Sequence, residues 1–216
     1  MRRDLITAVL AVVVLTVLLG LVYPLVVTGV SQVAFHGRAN GEQIKQNGKL
    51  VGSKLIGQDF RRQAIGRNGK PLTDKDGNPV MVPVKQYFQE RPSTATSYNA
   101  AASAFTNLGP NSTDARDTFK ANLASYLALE RPFSPGLAPR DVPVDAVTSS
   151  ASGMDPQISQ ANAAIQAHRI AAVRRLPLAT VQKVVKQNTD DRFLGVLGEP
   201  GVNVLQLNLA LDGLKK

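Results

Sequence analysis

The chain has no cysteine and only two histidines, His36 and His168, among its 216 residues. The first absence excludes disulfides, thiol nucleophiles and cysteine-ligated metals. It leaves the compartment open, because a cysteine-free domain survives on either side of a membrane. The second leaves little for metal or acid–base chemistry. His36 falls at the end of an apolar run, and His168 lies in a helical pattern beside Arg169 with alanine four residues away on each side. Charge is missing too: no residue from Leu5 to Phe35 carries one.

What is present bounds the class. Apolar residues make up 44% of the chain and charged residues 19%, a globular rather than a disordered balance. With the apolar N-terminal run set aside, roughly 180 residues remain, the size of one ordinary domain. The net charge is +9. Arg2, Arg3 and Asp4 hold one unit of it, leaving +8 on the remainder. Such a surface is either plainly solvated or suited to anionic lipid head groups or an acidic partner. Nucleic acid is disfavoured, because the positive charges are scattered and not interleaved with aromatics.

The uncharged run exceeds the roughly 20 apolar residues that cross a bilayer. A span over 5–34, after a cytoplasmic tail of residues 1–4, is therefore expected. A cleaved signal peptide has a shorter apolar stretch and a small-x-small site, and Gln32 spoils the candidate site Gln32-Val33-Ala34. Arg2 and Arg3 favour a cytoplasmic N-terminus, against Arg38, Lys45 and Lys49 just beyond the span. The expected topology is N-terminus in, with residues 35–216 as a soluble extracytoplasmic domain. Thr16, Gly20, Pro24 and Thr28 recur every fourth residue. They form either a face on which another helix packs closely in lipid or incidental small residues of a lone anchor. Pro24 should free a backbone carbonyl and kink the helix.

Beyond the span, residues 36–48 read as a polar connector and 50–57 as short strands broken by glycines. Residues 61–86 carry turn formers, and Asp76-Gly77 is a natural hairpin tip before a strand over 80–84. Residues 87–113 form a long polar loop without periodicity, a kind of segment that tends to carry function. A helix over 114–130 should present Phe119, Leu123, Tyr126 and Leu127 on one face. A Pro/Gly linker and a strand over 142–147 come next. A helix over 157–175, with Asp155 a candidate cap, has Ile158, Ala161, Ile165, Ala172 and Leu176 as its apolar residues. Another over 177–187 carries Val181, Val184 and Val185. Residues 202–209 read as a strand turning into a short helix. The expected class is α+β: one transmembrane helix followed by a single mixed α/β domain.

Catalytic patterns are missing. There is no Gly-x-Ser-x-Gly elbow and no P-loop, and no serine has an evident base nearby, which argues against an anchored hydrolase. Asp74-Lys75-Asp76-Gly77 imitates the phosphorylated Asp-Lys-Thr-Gly of P-type pumps, but its third residue is wrong and it sits at a turn. An anchor with a packing face and a long polar loop point instead to a subunit of an assembly.

Several blocks, in order, carry a resemblance. They begin with Gly20 and Tyr23-Pro24, then Gly52-Ser53, Leu55-Ile56-Gly57-Gln58 and Phe60. The polar loop supplies Tyr87-Phe88, Arg91-Pro92-Ser93, Tyr98-Asn99 and Asn107-Leu108-Gly109-Pro110. Then come Val142-Pro143-Val144-Asp145, Val147-Thr148 and the run from Ser150 to Ser159. The last are Arg192, Gly195, Gly198-Glu199-Pro200, Val202-Asn203-Val204 and the run from Leu207 to Asp212. Together they resemble the C subunit of the bacterial Kdp high-affinity potassium-transporting ATPase. Two departures stand out: residues 61–86 are longer than the family's usual link, which suggests an inserted hairpin, and Ala104-Phe105-Thr106 replaces a Gly-Gly-Ser.

The resemblance implies a non-catalytic, single-span subunit of the cytoplasmic (inner) membrane. Its partners would be a channel-like potassium-binding subunit, a P-type ATP-hydrolysing subunit, a small single-helix subunit and membrane lipids. The family is described as a catalytic chaperone that raises the ATP affinity of the hydrolysing subunit. A domain outside the membrane cannot touch ATP inside, so ATP and K+ would be handled by the complex, without a cofactor on this chain, and any effect would travel as a coupling energy. Arg91, Pro92, Ser93, Tyr98, Asn107, Gly109 and Pro110 would then form or support an interface, or else serve internal loop architecture. The alternative reading is a membrane-tethered ligand-binding or sensor module.

Overall fold

A computed structural model of the chain describes residues 1–93, 98, 101, 103 and 107–214. Asn99 and Ala104-Phe105-Thr106 therefore lie outside the described residues. The chain divides into two units, Met1–Ser53 and Lys54–Lys216.

In the first unit Arg2–Ala34 is one helix of 33 residues, apolar and long enough to cross a membrane. It is regular over α1 (Arg2–Val17) and α2 (Tyr23–Ala34), with a π-helical turn, Leu18–Val22, between them. There the Tyr23 N–H reaches back five residues to the Leu18 carbonyl. Pro24 follows at once; having no N–H, it leaves the Gly20 carbonyl without its usual donor. Beyond Phe35 the expected connector is more ordered than its polarity suggested. It holds a helical turn, α3 (His36–Ala39), and a hairpin of β1 (Gln43–Gln46) and β2 (Lys49–Ser53). Asn47 and Gly48 supply the turn, both with positive φ, the pairing that a two-residue hairpin loop demands.

The second unit is built on a three-stranded antiparallel sheet, order β5-β7-β6, from Gln157–Ile158, Gly201–Asn203 and Thr189–Asp190. Three helices pack with it: α5 (Gln160–Arg174), α6 (Leu178–Gln187) and α7 (Val204–Asp212). Ile158, Val181, Val184, Val202, Val204, Leu207 and Leu211 fill the core between them. Phe88, from the polar loop, is fully buried among them. The α4 helix (Thr113–Glu130) starts at a Ser112 cap and adds Leu127 to the interior. Strands β3 (Arg61–Gln63) and β4 (Met81–Pro83) pair antiparallel. Farther along that excursion the Asp74 carboxylate accepts the N–H groups of Asp76 and Asn78, and the Gly77 N–H bonds the Asp74 carbonyl. The pump-like tetrapeptide is thus a turn. Hydrogen bonding from the Asn78 backbone holds the Asp74 carboxyl below the usual range.

Two expectations need correction. Residues 142–147 are not a strand: they hold a turn of 3-10 helix, Val144–Ala146, and another, Pro139–Asp141, comes just before them. Pro143 cannot donate to a ladder, and the Asp145 carboxylate is turned to the start of α5, where it takes the Ser159 N–H and hydroxyl and the Asn162 amide. That helix begins at Gln160 under a Ser159 cap, not at Gln157 under Asp155, because Gln157 and Ile158 are claimed by the sheet. The apolar residues read along it also make up only part of the buried face: Ile158 is buried and Leu176 packs against the core. Ala161 and Ala172 are exposed, while Asn162, Ala163, Gln166, Ala167, Arg169 and Ile170 point inward. A polar stripe, not an apolar one, faces part of the interior.

Candidate functional site

The polar stripe explains how a loop without periodicity is held. The Phe88 N–H donates to Asn208 Oδ1 at 2.9 Å, and Asn208 Nδ2 donates to the Phe88 carbonyl at 3.0 Å. One residue on, Gln166 repeats the pattern with Gln89, at 2.7 and 3.0 Å. Two side-chain amides thus do for residues 88 and 89 what a neighbouring strand would do, and no buried backbone group is left orphaned there. Arg169, fully buried, finishes the cradle. It donates to Glu130 at 2.9 Å, to Gln166 at 2.8 Å, to the Tyr87 carbonyl at 2.9 Å and to the Lys85 carbonyl. Burial pushes the Glu130 carboxyl up, against the opposing pull of the Arg169 guanidinium.

Held by this cradle, the chain runs on into Glu90 and Arg91. Glu90 Oε1 accepts the Gln58 N–H at 3.0 Å, and Oε2 is buried without a hydrogen-bond partner among the described residues. Burial raises the carboxyl well above its ordinary range; the Gln58 N–H opposes the shift, and the charges of Asp155 and Asp59 add to it. Arg91 donates to Asp155 at 2.9 Å and to the Ser149 carbonyl at 3.3 Å. The Ser93 hydroxyl donates to the Gly153 carbonyl at 2.6 Å, and the Tyr98 hydroxyl to the Arg91 carbonyl. These residues, with Pro92, border a cavity of about 170 Å³ that also meets Asp59, Arg61 and Tyr126. Arg61 lies across the Asp59 carboxylate through two bonds of 2.8 Å, and hydrogen bonding to that carboxylate raises its pKa further. Burial pushes the phenols of Tyr98 and Tyr126 up, so both are neutral donors.

The structure divides the residues singled out in the sequence into three places. Arg91, Pro92, Ser93 and Tyr98 are partly buried, and Arg91 and Ser93 tie the loop to the 149–155 turn. Asn107, Gly109 and Pro110 are exposed on the approach to α4, where the Ser112 N–H bonds the Gly109 carbonyl. Gly109 and Pro110 border an open apolar groove of about 590 Å³ with Leu108, Phe119, Leu123 and Val147. Thr16, Gly20, Pro24 and Thr28 belong to the long helix of the other unit. His168 is exposed on α5. Sequence reading missed Glu90, Glu130, Asn162, Gln166, Arg169 and Asn208. The signal for three of them was the spacing 162, 166 and 169, one helical face.

The sequence model of the family described as "K+-transporting ATPase, c chain" matches residues 5–213. The chain is 41% identical over 214 residues to the potassium-transporting ATPase KdpC subunit of Koribacter versatilis, covering 99% of this chain and 96% of that one. It is 45% identical over 211 residues to the subunit of that name from Streptomyces coelicolor, covering 93% and 88%. For that of Mycobacterium tuberculosis the figures are 41% over 215 residues, 99% and 100%. With matches of this length and identity, the chain belongs to the KdpC family, the c chains of K+-transporting ATPases.

Proposed function

We propose that this chain is the single-span accessory subunit of an ATP-driven, high-affinity potassium uptake complex, and that it does no chemistry itself. The observation that carries the reading is the nearly end-to-end family match, running from the apolar helix through α7. In this reading residues 1–4 stay in the cytoplasm, 5–34 span the cytoplasmic membrane, and 35–216 lie outside as one domain, with 61–86 a hairpin elaboration of it. The domain sits over the outer mouth of a channel-like potassium-binding subunit. The helix packs on its flank through Thr16, Gly20, Pro24 and Thr28, near the P-type ATP-hydrolysing subunit and a small single-helix subunit.

The two groups of loop residues take different parts. Arg91, Pro92, Ser93 and Tyr98 hold the loop's shape, since their bonds run inward. Asn107, Gly109 and Pro110 face solvent and are offered to a partner. Support of assembly, and any rise in ATP affinity on the cytoplasmic side, then act through the membrane subunits as a coupling free energy. A sensor-module role is the second reading: the polar cavity beside Glu90, about 170 Å³, is smaller than the ~300 Å³ at which small-molecule sites begin, and the groove of about 590 Å³ beside Gly109 and Pro110 is open to solvent rather than enclosed.

The test is a gentle detergent pull-down of the tagged chain from potassium-starved cells. Co-recovery of a polytopic channel-like protein and a P-type ATPase is the expected result. Recovery of the chain alone, from cells that demonstrably make those subunits, would overturn the reading.

A further inference from the structure

Between β6 and β7 the chain makes a hairpin loop whose apolar residues serve nothing inside the domain. Phe193, Leu194, Val196 and Leu197 are 68%, 79%, 72% and 59% exposed. The loop is nonetheless well built. The Phe193 N–H bonds the Leu197 carbonyl at 2.8 Å, and Gly195 and Gly198 take the positive φ values that the turn requires. Arg192 clasps both carboxylate oxygens of Glu199 across its base, at 3.0 and 2.9 Å. Below the loop, β7 is wholly buried as the middle strand of the core sheet, so the tip stands on the interior of the unit.

Leu194 shows that the apolar character is not incidental. Its φ is +53°, a left-handed backbone that favours glycine or asparagine and costs a leucine. Neither the backbone nor the core asks for leucine at this position. Four large apolar side chains held outward by a braced frame form a plug, and a plug implies a socket.

The charges around the tip choose between a lipid and a protein socket. Segments that insert into anionic membranes set Lys and Arg beside their apolar residues. Here the residues flanking the tip are Asp190, Asp191, Arg192 and Glu199, three acids to one base. Arg192 is spent on Glu199, Asp190 is paired with Lys54, and Asp191 is exposed with no ion pair among the described residues. With Lys54 counted, the collar keeps one net negative charge, on Asp191, which anionic head groups do not attract.

We propose that the 193–197 tip docks into an apolar, basic-rimmed socket on the extracytoplasmic surface of a membrane subunit of the transporter. This rests on the reading of the chain as an accessory subunit. The docking acts apart from the anchor helix and apart from the groove beside Gly109 and Pro110, and gives the domain its own hold on its partner.

The test uses the whole complex in potassium-starved cells. A photo-crosslinking amino acid at position 194, in an otherwise unaltered chain, should attach to one partner subunit, at a segment outside the membrane. A Leu194→Asn/Val196→Ser chain should accumulate normally, since asparagine suits the left-handed position. After an extended wash it should retain partner subunits at least about fivefold less well than the parent chain. Crosslinks to lipid alone, or none, would overturn the proposal, as would undiminished retention by the double variant. The crosslink decides the matter if that variant accumulates poorly. Failure of the parent chain itself to recover the other subunits would overturn the subunit reading, a separate outcome visible in the same experiment.

Discussion

Asn208 satisfies both backbone polar groups of Phe88, accepting from its N–H at 2.9 Å and donating to its carbonyl at 3.0 Å. A helix side chain here replaces a strand. Because Phe88 is fully buried, nothing else can take over those bonds. Asn208→Leu keeps the volume roughly and strands two groups, each costing about 1–3 kcal/mol. A loss of roughly 2–6 kcal/mol is expected, read as a lower melting temperature of the detergent-solubilised chain. Unchanged melting would mean that residues 88 and 89 are held some other way.

The Arg169–Glu130 pair should be intolerant of even a conservative change. Arg169 spreads its donors over Glu130, Gln166 and the carbonyls of Lys85 and Tyr87. A lysine cannot reproduce that planar fork. Arg169→Met leaves Glu130 buried without its cation, and a loss of about 3–5 kcal/mol is expected. Arg169→Lys should recover only a minor part of it in the same melting assay.

Glu90 gives a pH dependence of definite sign. Burial holds its folded-state pKa well above the ordinary carboxylate value that it has in the unfolded chain. The folded chain therefore binds the proton more tightly. The associated stability is complete below the unfolded pKa and is lost as pH rises through the folded one. Glu90→Gln keeps an acceptor for the Gln58 N–H and removes the ionisation. The variant should lose less melting temperature than the parent between about pH 5 and 8. A steeper decline in the variant would contradict a raised Glu90 pKa.

Arg91 and Asp155 pin the start of the polar loop to the turn before β5. Both side chains are about a quarter exposed, so the pair is partly screened. A double-mutant cycle with Arg91→Ala and Asp155→Ala should give a coupling on the order of 1 kcal/mol. In cells, Arg91→Ala should lower the yield of assembled transporter and slow growth at limiting potassium. Full wild-type uptake would remove Arg91 from any part in function.

Gly57 is a steric requirement. A Cβ there would stand 2.8 Å from the Asp155 carbonyl oxygen and closer still to the Glu90 carboxylate. The Gly57 N–H is meanwhile bonded to the Met154 carbonyl at 2.9 Å, which keeps the backbones together. Gly57→Ala should destabilise by about 1–3 kcal/mol. It should also change the pH profile attributed to Glu90, which an unrelated destabilising substitution would leave alone.

What the sequence made legible was whatever a period or a turn residue announces. The charge-free helix, the α4 and α6 helices and the passage from β7 into α7 were read from such signals. The errors share one physical cause. The segment 142–147 looks like a strand by composition, yet Pro143 and the bonds of Asp145 to the start of α5 make it a turn. The start of α5 was misplaced because Gln157 and Ile158 pair with Asn203 and Val202, which are distant in sequence. Apolar counting along that helix overlooks Gln166 and Arg169, whose burial makes sense only once residues 85–89 lie across them, and Asn162, whose partners Tyr126 and Asp145 come from other segments. Of the candidate site, the residue names were visible, but not the separation of Arg91 and Ser93, bonded inward, from Asn107 and Pro110, left facing solvent.

The π-helical turn at Leu18–Val22 bears on the period of the small residues around it. At 3.6 residues per turn, a four-residue repeat creeps around an α-helix by about 40° at each step. Over the three steps from Thr16 to Thr28 a regular helix would carry the line a third of the way round. A turn closed five residues back holds more residues per revolution, so it winds the creep backwards. Set between Thr16 and Pro24, it takes back part of that creep, and the methyl group of Thr16 stands 4.0 Å from where a Gly20 side chain would begin, the contact of i, i+4 neighbours. An irregularity in the hydrogen bonding thus brings a four-residue sequence rhythm closer to the axis of the rod.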